Sequence, residues 1–153
     1  MPNNVLGTYS GKDVNFAMNA AFVGPIVAAG IAGNGLARIQ VTMTETRSHV
    51  EVGMDGSVIP SAIPGNQGEV EMQVWQTSTL HQQLLAWYNS CQAAMDAGDV
   101  SQWFGSSILI LSVTDGSSHT CTGCAPTMVP PKSYDKQAEK VVWKILACNI
   151  QNQ

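Results

Sequence analysis

Apolar side chains recurring at every second position set what this chain can fold into. The plainest case is Val70, Met72 and Val74 set against Glu69, Glu71 and Gln73, the pattern of a strand with one face buried. Val14, Phe16 and Met18 alternate with Asn15, Ala17 and Asn19, and Ile39, Val41 and Met43 alternate with Arg38, Gln40, Thr42 and Thr44. Near the C-terminus Trp143, Ile145, Ala147 and Asn149 alternate with Val142, Lys144, Leu146 and Cys148, which predicts a central last strand over Val141 to Ile150. Ser107 to Thr114, centred on Ile108-Leu109-Ile110-Leu111, is too short for a typical helix and reads as a strand buried on both faces. Ser118 to Cys124 and Thr127 to Val129 read as two strand pieces separated by Ala125-Pro126, with Pro130-Pro131 at the edge or end of the second. Gly24-Pro25 is expected to turn the chain before Ile26–Ala29, and Gly33-Asn34-Gly35 to turn it again.

The period changes once. Thr79-x-x-Gln82 has the form of a capping box, and Leu80, Leu84, Trp87, Tyr88, Cys91 and Met95 follow at helical spacing on one face. A helix of about 79–95 is predicted, stopped by Asp96-Ala97-Gly98. Between the second and third clear strands lies an irregular stretch, Thr44 to Gly68, broken by Pro60, Pro64, Gly65, Asn66 and Gly68. Within it Val50, Val52 and Met54 alternate with Glu51 and Gly53 and lead to Asp55-Gly56, a pair suited to a two-residue type I′ hairpin turn. This stretch reads as a long arm, about 44–68, with a hairpin at its tip. Seven to nine strands and one helix, with no alternating strand–helix rhythm, give a mainly β (α+β) chain. The expected form is an antiparallel β-barrel or sandwich with one flanking α-helix.

With 153 residues the chain has room for one compact domain. Charged residues are only 12%, against the usual ~25%, so the surface is poor in charge. Such a surface is kept dispersed by neutral polar groups or is hidden against partners, which favours an oligomer. Seven Lys+Arg against eleven Asp+Glu leave a net charge of −4 and a pI near 5.1, the wrong sign for a protein that grips phosphates by bulk charge. Met1 to Leu6 lacks the basic and apolar regions of a secretory signal, so synthesis and residence in the cytoplasm are expected. Val14 to Ala37 has no charged side chain, but Asn15, Asn19, Gly24, Pro25 and Gly30 would put amides and breakers in hydrocarbon, and no membrane span is expected.

Residues that could carry chemistry are few. His49, His81 and His119 have no Ser or Cys with a carboxylate placed as in a triad, and His81 reads as a surface or packing histidine in the first turn of the helix. Asp55-Gly56 and Asp115-Gly116 are turns without the remaining oxygen ligands of a calcium loop. Gly33-Asn34-Gly35 lacks the spacing of a dinucleotide loop. His119-x-Cys121-x-x-Cys124 could offer a zinc ion three ligands, with Cys91 or Cys148 as a fourth, but no second such pair exists. Reduced thiols in a strand or turn are the plainer reading, and no catalytic, cofactor or metal residue is assigned. Lys132, Lys136, Lys140 and Lys144 recur every four residues near the C-terminus and read as a solvated loop, or a rim that meets the acidic surface of a neighbour.

Three segments together resemble bacteriophage tail tube proteins: Val52-Gly53-Met54-Asp55-Gly56-Ser57-Val58, Gly68 to Val74, and Gln76-Thr77-Ser78 followed by Leu84, Trp87, Tyr88 and Asn89. Tyr9-Ser10-Gly11-Lys12-Asp13-Val14, Ala125-Pro126, Tyr134, Lys136 and Trp143 extend the resemblance over most of the chain. The uncharged Ala20–Ala37 stretch and the His119–Cys124 region depart from it. The resemblance implies that residues 1–153 form a single tail-tube-like domain, in a long-tailed phage, of contractile type. Its copies would form hexameric rings that stack into the tube through which the genome DNA passes without specific binding. It further implies an arm tip, Val52, Gly53, Met54, Asp55, Gly56, Ser57 and Val58, that contacts a neighbouring subunit or ring. Implied partners are further copies of the chain, a tail sheath or terminator, and baseplate proteins. Other readings are a different component of a contractile injection machine, a small zinc or thiol protein using His119, Cys121 and Cys124, and a monomeric β-barrel that binds a ligand.

Overall fold

The computed structural model describes residues 10–29, 35–113 and 116–153. The readings of Met1 to Tyr9, Gly33-Asn34, Thr114 and Asp115 lie outside the described residues. The elements are β1 (Val14–Ala20), β2 (Gly24–Ala29), β3 (Leu36–Met43), β4 (Ser48–Val52), β5 (Val58–Ala62), β6 (Gly68–Trp75), α1 (Thr79–Asp96), β7 (Ser106–Ser112), β8 (Ser118–Pro126) and β9 (Lys140–Asn152). Seven strands form one sheet in the order β2-β1-β7-β8-β9-β6-β3, antiparallel throughout. The sheet curls into a half-barrel with α1 on its apolar face, and β4 and β5 stand apart as a two-stranded ribbon.

The period-two signal does what its chemistry requires. Val70, Met72 and Val74 are buried while Glu69, Glu71 and Gln73 between them are not. Phe16 and Met18 face the same interior from β1. The thirteen-residue β9 runs between β8 and β6 and sends Val141, Trp143, Ile145 and Ala147 inward. From α1, Leu80, Leu84, Trp87 and Cys91 meet them. Each such aliphatic or aromatic side chain taken fully out of water contributes about 1.5–3 kcal/mol, and ordering the chain offsets most of the sum.

Two tryptophans join helix to sheet through their polar edges. Trp143 Nε1–H donates to His81 Nδ1 at 3.1 Å, and Trp87 Nε1–H donates to Ser106 Oγ at 3.0 Å. The same Ser106 Oγ also accepts the backbone N–H of Ala21 at 3.0 Å. An indole nitrogen only donates, so the first bond requires His81 to be unprotonated at Nδ1.

Local structure departs from expectation at five places. The helix is capped by Ser78, whose Oγ accepts from His81 N. Thr79 already lies inside the helix, and the residue three beyond the true cap is His81, so no reciprocal box forms. The first turn is Ala21 to Val23, with Phe22 at a φ of 70°; Gly24 and Pro25 belong to β2, where proline is tolerated because β2 is an edge strand. β7 is buried on one face only, since Leu109 and Leu111 point outward and remain exposed. Ser118–Pro126 is one strand, and Thr127 to Val129 belongs to the loop after it. His81, by contrast, takes the packing role that was one of its two expected readings, buried against Trp143. The arm carries two full strands closed by a longer turn than the expected pair.

Burial, and secondarily the positive charge of Lys132, hold His81 below the ordinary histidine pKa. A histidine depressed in the folded state favours folding fully above about pH 6.5, the unfolded value. That contribution is lost as pH falls from there through the folded value, because the unfolded chain takes up the proton first. Between pH 7.5 and 5.5 the wild type is therefore expected to lose more stability, read as the urea midpoint, than His81→Gln. Equal losses would show that His81 is not held neutral by the core.

Candidate functional site

The segment that the core does not use is the arm. Its root is fixed by short-range polar contacts between the outgoing and returning chains. Thr44 N–H donates to Gln67 O at 3.3 Å and Ile63 N–H to Arg47 O at 2.7 Å. Gln67 Nε2 donates to Glu45 Oε1 at 2.8 Å and Arg47 Nη1 to Asn66 Oδ1 at 3.1 Å. Asn66 O in turn accepts Ile150 N–H at 2.8 Å, tying the root to β9. Gly68, where the returning chain enters the sheet, admits no side chain: a Cβ there would run into the Thr42 backbone and the Ile150 side chain.

Beyond the root, Ser48 pairs with Ala62, Val50 with Pro60 and Val52 with Val58, while His49 faces Ser61 and Glu51 faces Ile59. Side chains alternate between faces, so the ribbon has an apolar face of Val50, Val52, Val58, Pro60 and Ala62. The opposite face carries His49, Glu51, Ile59 and Ser61. Every residue of both strands is exposed, and Val52 and Met54 show 69% and 110% of their reference surface. A hairpin without a third strand or a core behind it is marginal in water, and an apolar face of this kind calls for a cover.

The tip is a five-residue connection, Gly53 to Ser57. Gly53 N–H donates to Ser57 O at 2.7 Å and Gly56 N–H to Gly53 O at 3.0 Å. Gly56 alone in it has a positive φ, 85°; a type I′ turn needs that at Asp55 too, which is why the expected two-residue turn does not form. Asp55 Oδ1 accepts from Ser57 Oγ at 2.6 Å and Ser57 N at 3.0 Å. Those two bonds hold its carboxyl below the usual carboxylate range, so the tip keeps a negative charge.

The other candidate residues separate in space or in chemistry. His119 Nδ1 lies 2.6 Å from Asn152 Oδ1. Cys121 and Cys124 are both buried, because the register between β7 and β8 slips between the Ser106 and Ile108 pairs and Gly123 takes a φ of 65°. That bulge shifts the alternation, so residues three apart share a face. Burial pushes the Cys121 thiol up to about 11; burial, and then the neighbouring thiols Cys121 and Cys148, push Cys124 up to about 12. Neither is disposed to be a thiolate at neutral pH. Among the described residues no three His, Cys, Asp or Glu side chains are grouped so as to hold a metal, and no helix is long and apolar enough to cross a membrane.

The four lysines form no helical stripe. Lys132 and Lys136 lie in the loop 127–139, and Lys140 and Lys144 lie on the outer face of β9. Lys140 Nζ sits 5.1 Å from the Trp75 ring centre and Lys132 Nζ 5.4 Å from that of Tyr134. Lys144 also joins Thr127, Met128, Pro130, Pro131 and Val142 in lining a cavity of about 460 Å³. Sequence reasoning found the lysines but not this cavity, because the signal for it, Met128 and the two prolines, had been assigned to a strand end.

A curled antiparallel sheet with one flanking helix thus carries an uncovered apolar arm, the kind of surface through which proteins meet partners. The chain belongs to the bacteriophage PhiTE tail tube protein family, whose model matches residues 6–153; it is a phage tail structural protein, a component of the virion tail. No curated protein matches it. The fold is shared with solved structures of contractile machines. One is the anti-feeding prophage (AFP) baseplate, with a TM-score of 0.62, 11% identity, and 95% of each chain covered. A second is the AFP tube terminating cap, at 0.60 and 10%, covering 99% of this chain and 95% of that one. A third is the sheath-tube complex of the extracellular contractile injection system PVC in its extended state, at 0.58 and 13%, covering 97% and 93%.

Since no arm residue is in the core, replacing residues 48–62 by Asn-Gly, which joins Arg47 to Ile63 through a tight turn, should leave the body folded. The melting temperature is expected to move by no more than about 4 °C, about 1 kcal/mol for a chain this size. Loss of the cooperative transition in circular dichroism would show that the arm belongs to the folding unit.

Proposed function

We propose that the whole chain, residues 1–153, acts as a single tail-tube-like domain, the tube subunit of a contractile phage tail. Six copies close into a ring, rings stack into a tube, and the genome DNA leaves through the lumen without specific binding. The observation that carries this reading is the arm: an apolar ribbon with a polar back, held at its root and uncovered along its length. On this reading the tip, Val52 to Val58, reaches a neighbouring subunit or ring.

Physical chemistry supports each part. The sheet ends in two open edges, β2 and β3, and identical heterologous contacts repeated around a rotation axis hide such edges in a closed ring. A chain with net charge −4 gives a tube that does not hold each phosphate it meets, as a basic wall would. The reading needs no cofactor, metal or catalytic step. The titles of the similar structures name a baseplate, a tube terminating cap and a sheath-tube complex, which fits sheath, terminator and baseplate proteins as partners. Synthesis in the host cytoplasm precedes incorporation into the tail.

Negative-stain electron microscopy with light scattering on the purified chain tests this. The expected result is rings or tubes with a central hole and a minimum particle mass of six 16.3-kDa chains. Val52→Asp/Val58→Asp is expected to leave monomers, because it puts two carboxylates on the apolar face of the arm. A wild type that stays monomeric at every concentration, or a double variant that assembles as well as the wild type, would contradict the proposal.

A further inference from the structure

The arm enters the sheet at one end of β6, and the cavity lies over the neighbouring strand β9. The arm enters the sheet at Gly68, the first residue of β6, and Trp75, the last, sits beneath Lys140 where the loop 127–139 rejoins the sheet. Lys144 and Val142 in the cavity wall pair with Glu71 and Gln73, three and five residues along β6 from Gly68. The exposure of both arm strands shows that the arm is not folded back along its own sheet.

The two surfaces complement each other. Residues 44–68 carry Glu45, Glu51 and Asp55 against Arg47 alone, and residues 127–144 carry Lys132, Lys136, Lys140 and Lys144 against Asp135 and Glu139. The arm presents an apolar face, and Lys144 lines the cavity together with Met128, Pro130, Pro131 and Val142. A second exposed apolar patch, Val27, Leu109, Leu111 and Val113 on the outer side of the sheet, has no cation on its own strands to meet Glu51 or Asp55, since β1, β2 and β7 carry no charged side chain.

We propose that the cavity lined by Met128, Pro130, Pro131 and Val142 is the seat for the arm of a second copy of this chain, with Glu51 and Asp55 meeting Lys132 and Lys136 of the loop that supplies its wall. Because arm and seat are different surfaces the contact is head-to-tail, a heterologous interface that can repeat along an axis, and on this proposal it joins one ring to the next. This rests on the tube reading and adds to it the place where the arm lands. Opposite charges on arm and loop set register and speed encounter, while the apolar face supplies the burial.

Photo-crosslinking of the full chain tests the seat directly. A photoreactive phenylalanine analogue at position 54 is used in an equal mixture of ¹⁴N- and ¹⁵N-labelled protein, so that links between copies are distinguished by mass from links within one. Links between copies that map to residues 127–144, lost on Lys132→Glu/Lys136→Glu and recovered when Glu51→Lys/Asp55→Lys is combined with it, are expected. Links between copies that map elsewhere, to residues 107–113 for example, would overturn the seat and leave the tube reading standing. Links found only within one copy, in a sample that stays monomeric, would overturn both.

Discussion

Two buried indole N–H groups, each given one partner, hold the helix of this protein on its sheet. Trp87 reaches Ser106 at the start of β7, and Trp143 reaches His81 in the first turn of α1. A buried N–H left without a partner costs about 1–3 kcal/mol, so each pair specifies where along the sheet the helix sits as well as adding to its burial. The half-barrel depends on that placement. Its apolar face is continuous from Ile26 on β2 to Val74 on β6, and α1 is the element that covers it. Once the helix is seated, apolar side chains on the strands' opposite face and along the arm remain exposed.

This division of labour explains why so few charges suffice. A monomer with 12% charged residues and Val50, Val52, Met54, Val58 and Ile59 in water is poorly protected from self-association. In a subunit whose exposed ribbon and open edges find defined partners, the same surface is a source of order. The polar root of the arm sets a direction for the ribbon, and the Asp55–Ser57 bonds keep its tip in one shape before it meets anything. Ordering such a segment beforehand reduces what association must overcome.

Much of the body could be read from period alone. The alternations through Val70, Val14 and Trp143 and the helical spacing of Leu80, Leu84 and Trp87 concern residues whose neighbours in sequence decide which face they take. Elsewhere the outcome turns on contacts far apart in the chain, except at the helix cap, where the deciding contacts are local. Leu109 and Leu111 look like core residues until the sheet shows that nothing covers that face. Cys121 and Cys124 look like a motif until the bulge at Gly123 turns both inward. The helix cap moved by one residue because Ser78, held by Trp75 O through its hydroxyl, was already in place to take the His81 N–H. Of the candidate site, the arm and its tip were legible as punctuation between strands. The cavity that Lys144 lines was not, since it forms only where a loop after β8 crosses the outer face of β9.

The central claim is that the arm obtains its cover from another copy and not from its own chain. Hydrogen–deuterium exchange measured on the monomer and on the assembled protein tests it most directly. The amides of 48–62 should exchange rapidly in the monomer and become strongly protected on assembly, while those of β6 and β9 stay protected in both. An arm already protected in the monomer, or one that still exchanges freely in the assembled tube, would contradict the account.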